Sequence, residues 1–274
     1  MTINIKGRLL NLSKPVVMGI LNVTPDSFYD GGKLTGTDAL LQQTEKMLRE
    51  GATILDIGGM SSRPGAEIIG EEEELERVLP AVKAIVANFP DAIISIDTIR
   101  AKVAGQAIQA GAHIVNDISA GWLDDKMIET VATARVPYVI MHMQGLPHTM
   151  QQNPEYANVT TEVMDFLAGR IAVCQKAGIT DIILDPGFGF GKSVEHNYTL
   201  LRNLKYFSRL NLPILAGVSR KSMICKPLKV NPDKALNGTT VANTIALLNG
   251  AHILRVHDVK EAMEAIKIVE SLML

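Results

Sequence analysis

The sequence predicts a single (β/α)8 barrel, and three observations predict it. Short apolar runs recur through the whole chain, and each ends in polar residues suited to binding or catalysis. Segments of helical period alternate with those runs, as right-handed βαβ units require. The length, 274 residues, matches the roughly 250 residues over which such a barrel closes as one domain. An open doubly wound sheet shares the alternation, but it gathers its ligand chemistry at one switch point instead of at every strand end.

In chain order, residues 1–14 alternate imperfectly and precede the first barrel strand, so they read as a small β-hairpin closing the bottom of the barrel. Eight runs of buried-strand type follow. They are Val16–Leu21 into Asn22, Thr53–Leu55 into Asp56 and then Ser61-Ser62-Arg63, Ile93–Ile96 into Asp97, and His113–Val115 into Asn116-Asp117. The remaining four are Tyr138–Met141 into His142, Ile182–Leu184 into Asp185, Ile214–Val218 into Ser219-Arg220-Lys221, and His252–Leu254 into Arg255-Val256-His257. Helical periodicity covers 37–50, 71–88, 99–110, 124–134, 158–178, 195–210, 232–249 and 258–273. Asp124 or Asp125 supplies an N-cap, Glu71–Glu74 a solvated acidic first turn, and Gly51, Gly111, Gly178 and Gly250 the stop signals. Residues 22–32 and 58–65 form long Gly/Pro-bearing loops above the first two strands, where a barrel carries its lids.

The charge balance, Lys+Arg 27 against Asp+Glu 29, gives no electrostatic footprint for nucleic acid or an anionic membrane. No apolar run reaches the roughly 20 residues of a membrane span, and the start of the chain lacks a signal-peptide core. Cys174 and Cys225 have neither disulfide-framework nor zinc spacing. A cytoplasmic protein acting on small molecules is expected.

In a barrel the C-terminal strand ends share one mouth. Asp97, Asn116 and Asp185 enter it from three strands, where carboxylates and a carboxamide can read a heterocycle with adjacent N–H and NH2 groups. Asp56 and Asp117 read instead as caps or structural acceptors. Arg255, His257, Arg63 and Asn22 form a second group on neighbouring strands, suited to a phosphate or diphosphate, with Asn22 able to ligate Mg2+ beside phosphate oxygens. Lys221, at the end of the seventh strand, can hydrogen-bond a ring substituent, stabilise developing charge or form a Schiff base. Asp185–Ser193 is not a phosphate loop, because Pro186 occupies the position where the P-loop pattern needs glycine; it reads as a tight turn presenting Phe190 to a planar ligand. Met141-His142-Met143 reads as core and rim.

The motifs Asn22–Phe28, Ser61–Gly65, Asp97, Asn116-Asp117, Asp185–Lys192, Ser219–Ser222 and Arg255–Asp258 together resemble the dihydropteroate synthases of the folate pathway, in order and over essentially the whole chain. The resemblance implies a pterin pocket at Asp97, Asn116, Asp185 and Lys221, and a Mg2+-assisted diphosphate site at Asn22, Arg63, Arg255 and His257. It implies a p-aminobenzoate site at Ser62, Arg63, Pro64, Phe190, Lys221 and Ser222. The expected reaction joins 6-hydroxymethyl-7,8-dihydropterin diphosphate to p-aminobenzoate, with Lys221, Asp97, Asp185 and Asp26 as catalytic residues, and a homodimer through the later helices is expected. Met60 stands where the family usually has Glu, and Ser62 where it usually has Thr. The rivals are a corrinoid-dependent methyltransferase sharing the pterin pocket, a Schiff-base aldolase using Lys221, and a non-catalytic pterin-binding protein.

Overall fold

In a computed structural model of the chain, residues 1–24, 36–60, 69–145 and 154–272 are described. Strands β1 (Thr2–Ile5) and β2 (Arg8–Asn11) pair antiparallel, with Lys6 and Gly7 at positive φ in the turn. This is the expected hairpin. The barrel strands follow as β3 (Val16–Asn22), β4 (Ile54–Gly58), β5 (Ile93–Asp97), β6 (Ile114–Asp117), β7 (Tyr138–Met141), β8 (Ile182–Asp185), β9 (Leu215–Ala216) and β10 (Ile253–Val256). All pair parallel in the order β8-β7-β6-β5-β4-β3-β10-β9. A bridge between Leu184 and Ile214 closes the ring, supported by a 2.8 Å bond from the Leu184 N–H to the Pro213 carbonyl.

The helices are α1 (Gly36–Glu50), α2 (Glu71–Asn88), α3 (Ala101–Ala110), α4 (Met127–Ala134), α5 (Val159–Lys176), α6 (Val194–Arg202), α7 (Ser222–Leu228), α8 (Leu236–Leu248) and α9 (Val259–Leu272). Three differ from the periodicity. The stretch 195–210 breaks after Arg202 into a 3-10 turn, Leu204–Leu210, and 232–249 opens with a separate 3-10 turn, Pro232–Lys234. Helix α7, only seven residues long with Pro227 inside it, was too short to show a period.

Caps explain several boundaries. Asn158 accepts from the Thr160 and Thr161 N–H groups, and Ser193 forms a capping box with His196. Asp124 serves two helices: one oxygen accepts from the Ala101 N–H at the start of α3 and the other from the Lys126 N–H before α4. The four stop glycines all sit at positive φ, which side-chain-bearing residues adopt only at a cost. The acidic first turn of α2 is not wholly solvated. Glu74 is fully buried and pairs with Arg100, whose second terminal nitrogen donates to the Ile69 carbonyl.

Side-chain alternation divides each strand between the inside of the barrel and the helical shell. Met18, Ile54, Ile93, Ile114, Val139, Ile183, Leu215 and Ile253, one from each strand, form an apolar layer against Ile3, Ile5 and Leu12, so the hairpin stoppers the barrel from below. The opposite phase, including Val17, Leu55, Ile94, Val115, Tyr138, Leu184, Ala216 and Leu254, packs against the helices. Two histidines lock the bottom rim. His113 donates its backbone N–H to the Ile94 carbonyl and takes the Ile94 N–H on Nδ1, and His252 clasps Ile214 the same way. Burial lowers the pKa of both imidazoles, which keeps Nδ1 available as an acceptor.

Candidate active site

Two residues beyond the apolar layer, the same phase brings Asp56, Asn116, Asp185 and Arg255 into the barrel, and two further along β3, β4 and β5 lie Asn22, Gly58 and Asp97. The floor is therefore greasy and the mouth polar. Arg255 is the hub: Nε donates to Asp56 Oδ2 at 2.6 Å and a terminal nitrogen to Asp97 Oδ2 at 2.7 Å. Asn116 Nδ2 donates to the same Asp56 oxygen at 3.0 Å. Asp56 is thus an interior carboxylate of the site, not a cap, and its Oδ1 has no hydrogen-bond partner among the described residues. Its two-residue spacing from Ile54 was the signal that separates it from Asp117. Asp117 lies on the outward phase and accepts from the Ser119 and Gly121 N–H groups, the Ser119 hydroxyl and the Tyr138 hydroxyl. That is the structural role expected of it.

The carboxylate group and the cationic group expected from the sequence meet at Arg255. It belongs by strand to the anion-binding side, yet its bonds run to Asp56 and Asp97. On the same side, His257 Nδ1 lies 3.0 Å from Ser219 Oγ, which also accepts the His257 N–H. Asn22 is a neighbour of Asp97: a Cβ built on Gly58 would lie 3.5 Å from Asn22 Oδ1 and 3.5 Å from Asp97 Cβ. Both are ordinary contact distances, so the two side chains flank Gly58 on either side.

Asp185 accepts the Gly187 N–H at 2.7 Å. Lys221 is the residue before α7; its ammonium donates to the Phe188 carbonyl and sits 4.7 Å from the Phe190 ring centre. Gly217 lines this corner: a Cβ there would lie 3.6 Å from Lys221 Nζ and 3.9 Å from Asp185 Oδ2, at ordinary contact distance, which places the ammonium and the carboxylate around one point. Phe190 packs with Ile118, Met141 and Met143, forming an apolar wall beside the ammonium. Ser222, the first residue of α7, is exposed at this rim. Asp26, Ser62, Arg63 and Pro64 lie outside the described residues.

Burial sets the direction of the shift at Asp97, Asp185 and Lys221. It raises Asp97 to about 7, against the opposing pull of Arg255. Asp185 is raised for the same reason, with Lys221 opposing most strongly. Burial lowers Lys221 to about 8, resisted by Asp185. For Arg255, burial is outweighed by Asp56 and Asp97, and the guanidinium is held even more firmly charged than usual. Shifts of this kind mark sites where ionisation is put to use.

A closed parallel barrel with a carboxylate- and amide-lined mouth, two cations and an aromatic wall defines a barrel enzyme for a planar, polar-edged heterocycle. Residues 18–257 match the family of pterin binding enzymes. The dihydropteroate synthase of Escherichia coli (strain K12) is 48% identical over 268 residues, covering 97% of this chain and 94% of the relative. A Yersinia pestis dihydropteroate synthase solved with a sulfonamide drug complex superposes with a TM-score of 0.94 at 46% identity, covering 100% and 99% of the two chains. The Xanthomonas albilineans dihydropteroate synthase with 4-aminobenzoic acid gives 0.93 at 40% identity, covering 99% and 98%. The chain belongs to the dihydropteroate synthase family. Its reaction is the transfer of the pterin methylene from diphosphate to the amine of p-aminobenzoate, giving 7,8-dihydropteroate.

Proposed function

We propose that Asp97, Asn116, Asp185 and Lys221 bind the pterin, that Asn22, Arg255 and His257 with Arg63 hold the diphosphate, and that Phe190 and Ser222 with Ser62 and Pro64 receive p-aminobenzoate. The observation that carries this division is the partition of the mouth. Carboxylates and an amide that match a ring edge stand beside an arginine, a histidine and Asn22 carried by two adjacent strands, β10 and β3.

Ionised Asp185 accepts two parallel N–H bonds from the pyrimidine edge of the pterin, and Asn116 reads the remainder. Lys221 donates to the opposite edge and its charge stands beside Phe190. The C–O bond to the diphosphate breaks first, leaving positive charge at the pterin methylene; the aryl amine then forms the C–N bond and releases a proton. Arg255 still has one terminal nitrogen without a partner among the described residues, so it can reach the diphosphate while anchored to Asp56 and Asp97. Asp26 completes the reading as the residue of the first loop that acts at the reacting centre, on the strength of its motif alone.

Mg2+ is the proposed cofactor. Among the described residues no three acidic, histidine or cysteine side chains group around a metal position, but Mg2+ needs few protein ligands when phosphate supplies the rest. The neutral Oδ1 of Asn22 beside Asp97 fits that sparse set. Bound there, the ion would neutralise charge on the leaving diphosphate.

The direct test is an assay of dihydropteroate and diphosphate from the two substrates, with Mg2+ and with chelator. Equimolar products, lost on chelation and restored by Mg2+, are expected. Pterin binding without turnover would overturn the catalytic reading.

We further propose that the whole chain acts as one pterin-binding barrel in the cytoplasm, where its free cysteines fit a reducing setting, and that it pairs as a homodimer. On α7, α8 and α9 the apolar residues Leu228, Val241, Leu248 and Ile268 are 52%, 54%, 49% and 64% exposed, a concentration suited to burial against a second copy. Sedimentation velocity should give a dimer for the parent chain and a monomer for Val241→Glu; a dimeric variant would refute this interface.

A further inference from the structure

The conspicuous feature that these roles leave unused is a fully internal lysine. Lys192 is 2% exposed, and its ammonium is ringed by four acceptors: the carbonyls of Gly187 at 2.8 Å, Phe190 at 3.0 Å and His142 at 3.2 Å, and His142 Nδ1 at 2.9 Å. A lysine this buried is costly unless every donor is met. Burial holds its pKa well below the ordinary value, and Asp185 is the main group opposing that shift.

The acceptors join two strand ends. His142 follows β7, while Gly187 and Phe190 belong to the loop leaving β8, and the two backbones nearly touch: a Cβ on Gly187 would lie 1.9 Å from the His142 carbonyl oxygen. Gly187, Gly189 and Gly191 all have positive φ, at 72°, 85° and 62°, so the loop adopts a curve that other residues resist. Its carbonyls are divided between two lysines, those of Gly187 and Phe190 turning to Lys192 and that of Phe188 to Lys221. Asn197 secures the middle by accepting the Gly189 N–H at 2.7 Å. The His142 ring is itself set by an edge contact with Phe166, at 5.0 Å between centres.

We propose that Lys192, held by His142, is a positioning residue for the reaction: it fixes the loop that carries Phe190 beneath Lys221, and its charge behind Asp185 preserves the carboxylate that the pterin needs. The groups acting on Asp185 are Lys221 before α7, the Gly187 N–H in its own loop, Arg255 on β10 and Lys192 itself. Among the side chains of that set Lys192 is the buried one, at 2% exposed, whereas Lys221 and Arg255 are partly exposed. Its effect on catalysis therefore passes through the loop and the field. The proposal rests on the assignment of Asp185 to the pterin.

The test is Lys192→Met, which keeps the stem and removes the charge, with His142→Leu and His142→Asn as companions. Parent chain and variants are compared for binding of 6-hydroxymethylpterin by calorimetry, for kcat and KM of each substrate, and for the pH dependence of kcat/KM for the pterin substrate. Loss of a nearby cation favours the protonated form of Asp185. The acid limb of the Lys192→Met profile should therefore move up by about one pH unit, with pterin binding roughly tenfold weaker at pH values below the limb and little changed well above it. His142→Leu should shift the limb in the same direction, and His142→Asn, which keeps an acceptor, should restore most of it. A merely structural lysine would lower the melting temperature and leave the limb in place, and that result overturns the proposal. If Lys192→Met fails to fold, an unmoved limb in folded His142→Leu overturns it equally. A parent chain that makes no dihydropteroate would instead refute the reading of the site.

Discussion

Replacing Arg255 with leucine is expected to abolish turnover and to destabilise the barrel by about 3–5 kcal/mol, the loss typical when one partner of a buried ion pair is removed. The guanidinium sits between two carboxylates, Asp56, which is fully buried, and Asp97, which is nearly so. Without it, the Asp56 and Asp97 carboxyl groups face each other in the barrel mouth with Asn116 Nδ2 as the remaining donor to Asp56 among the described residues. Arg255→Lys is expected to recover only part of the loss, since an ammonium presents a point charge where a planar fork now reaches two acceptors.

The pH dependence of that variant has a definite sign. Asp97 is already raised to about 7 by burial, with Arg255 pulling the other way, so removing the arginine raises it further. A carboxyl whose folded pKa exceeds its unfolded value binds a proton more readily when folded, and stability from it is lost as pH rises. Arg255→Leu should therefore melt at a higher temperature at pH 5 than at pH 8, relative to the parent chain. Denaturant unfolding at the two pH values measures the difference, and an equal deficit at both would show that Asp97 is not left carrying the charge.

How far the sequence foretold this arrangement depended on whether a signal was local. The eight strands and the hairpin were legible because each apolar run is short, bounded and followed by polar residues. Asp97, Asn116, Asp185 and Arg255 were legible because they stand at the ends of those runs. Asp56 was misjudged although Ile54 fixes its phase, because a polar residue inside an apolar run looks like a cap until alternation is counted from the interior residue. Glu74 was misjudged because its partner, Arg100, lies 26 residues further on, just before α3, and three more accessible neighbours of like charge masked it. Lys192 gave no usable signal: its acceptors are backbone carbonyls, and carbonyls carry no residue identity. The Arg255 bridge between two carboxylates from different strands became visible only when the barrel curvature brought β4, β5 and β10 around one axis.

Lys221→Met is expected to lower kcat/KM on the order of 10²–10³-fold, comparable to loss of a preorganised electrostatic donor, while raising the melting temperature. The two cations of the mouth differ in this respect. For Arg255 the carboxylates outweigh burial and the charge stabilises the fold; for Lys221 burial outweighs Asp185 and the folded-state pKa falls from 10.5 to about 8. That depression already includes the attraction of Asp185, so the charged ammonium is a net cost to the folded chain below pH 8. The unfolded chain holds the proton more tightly between about 8 and 10.5, and stability from this group rises with pH across that window. The gain from Lys221→Met should thus be largest at neutral pH and shrink above pH 8. In the parent enzyme, activity that needs the ammonium should decline as pH rises through about 8. Joint measurement of pH–rate profiles and thermal melts decides the matter: a variant both inactive and less stable at pH 7 would mean that Lys221 is principally a structural tie to the Phe188 carbonyl. A variant that is inactive and more stable would mean that the fold tolerates a strained charge because the reaction uses it.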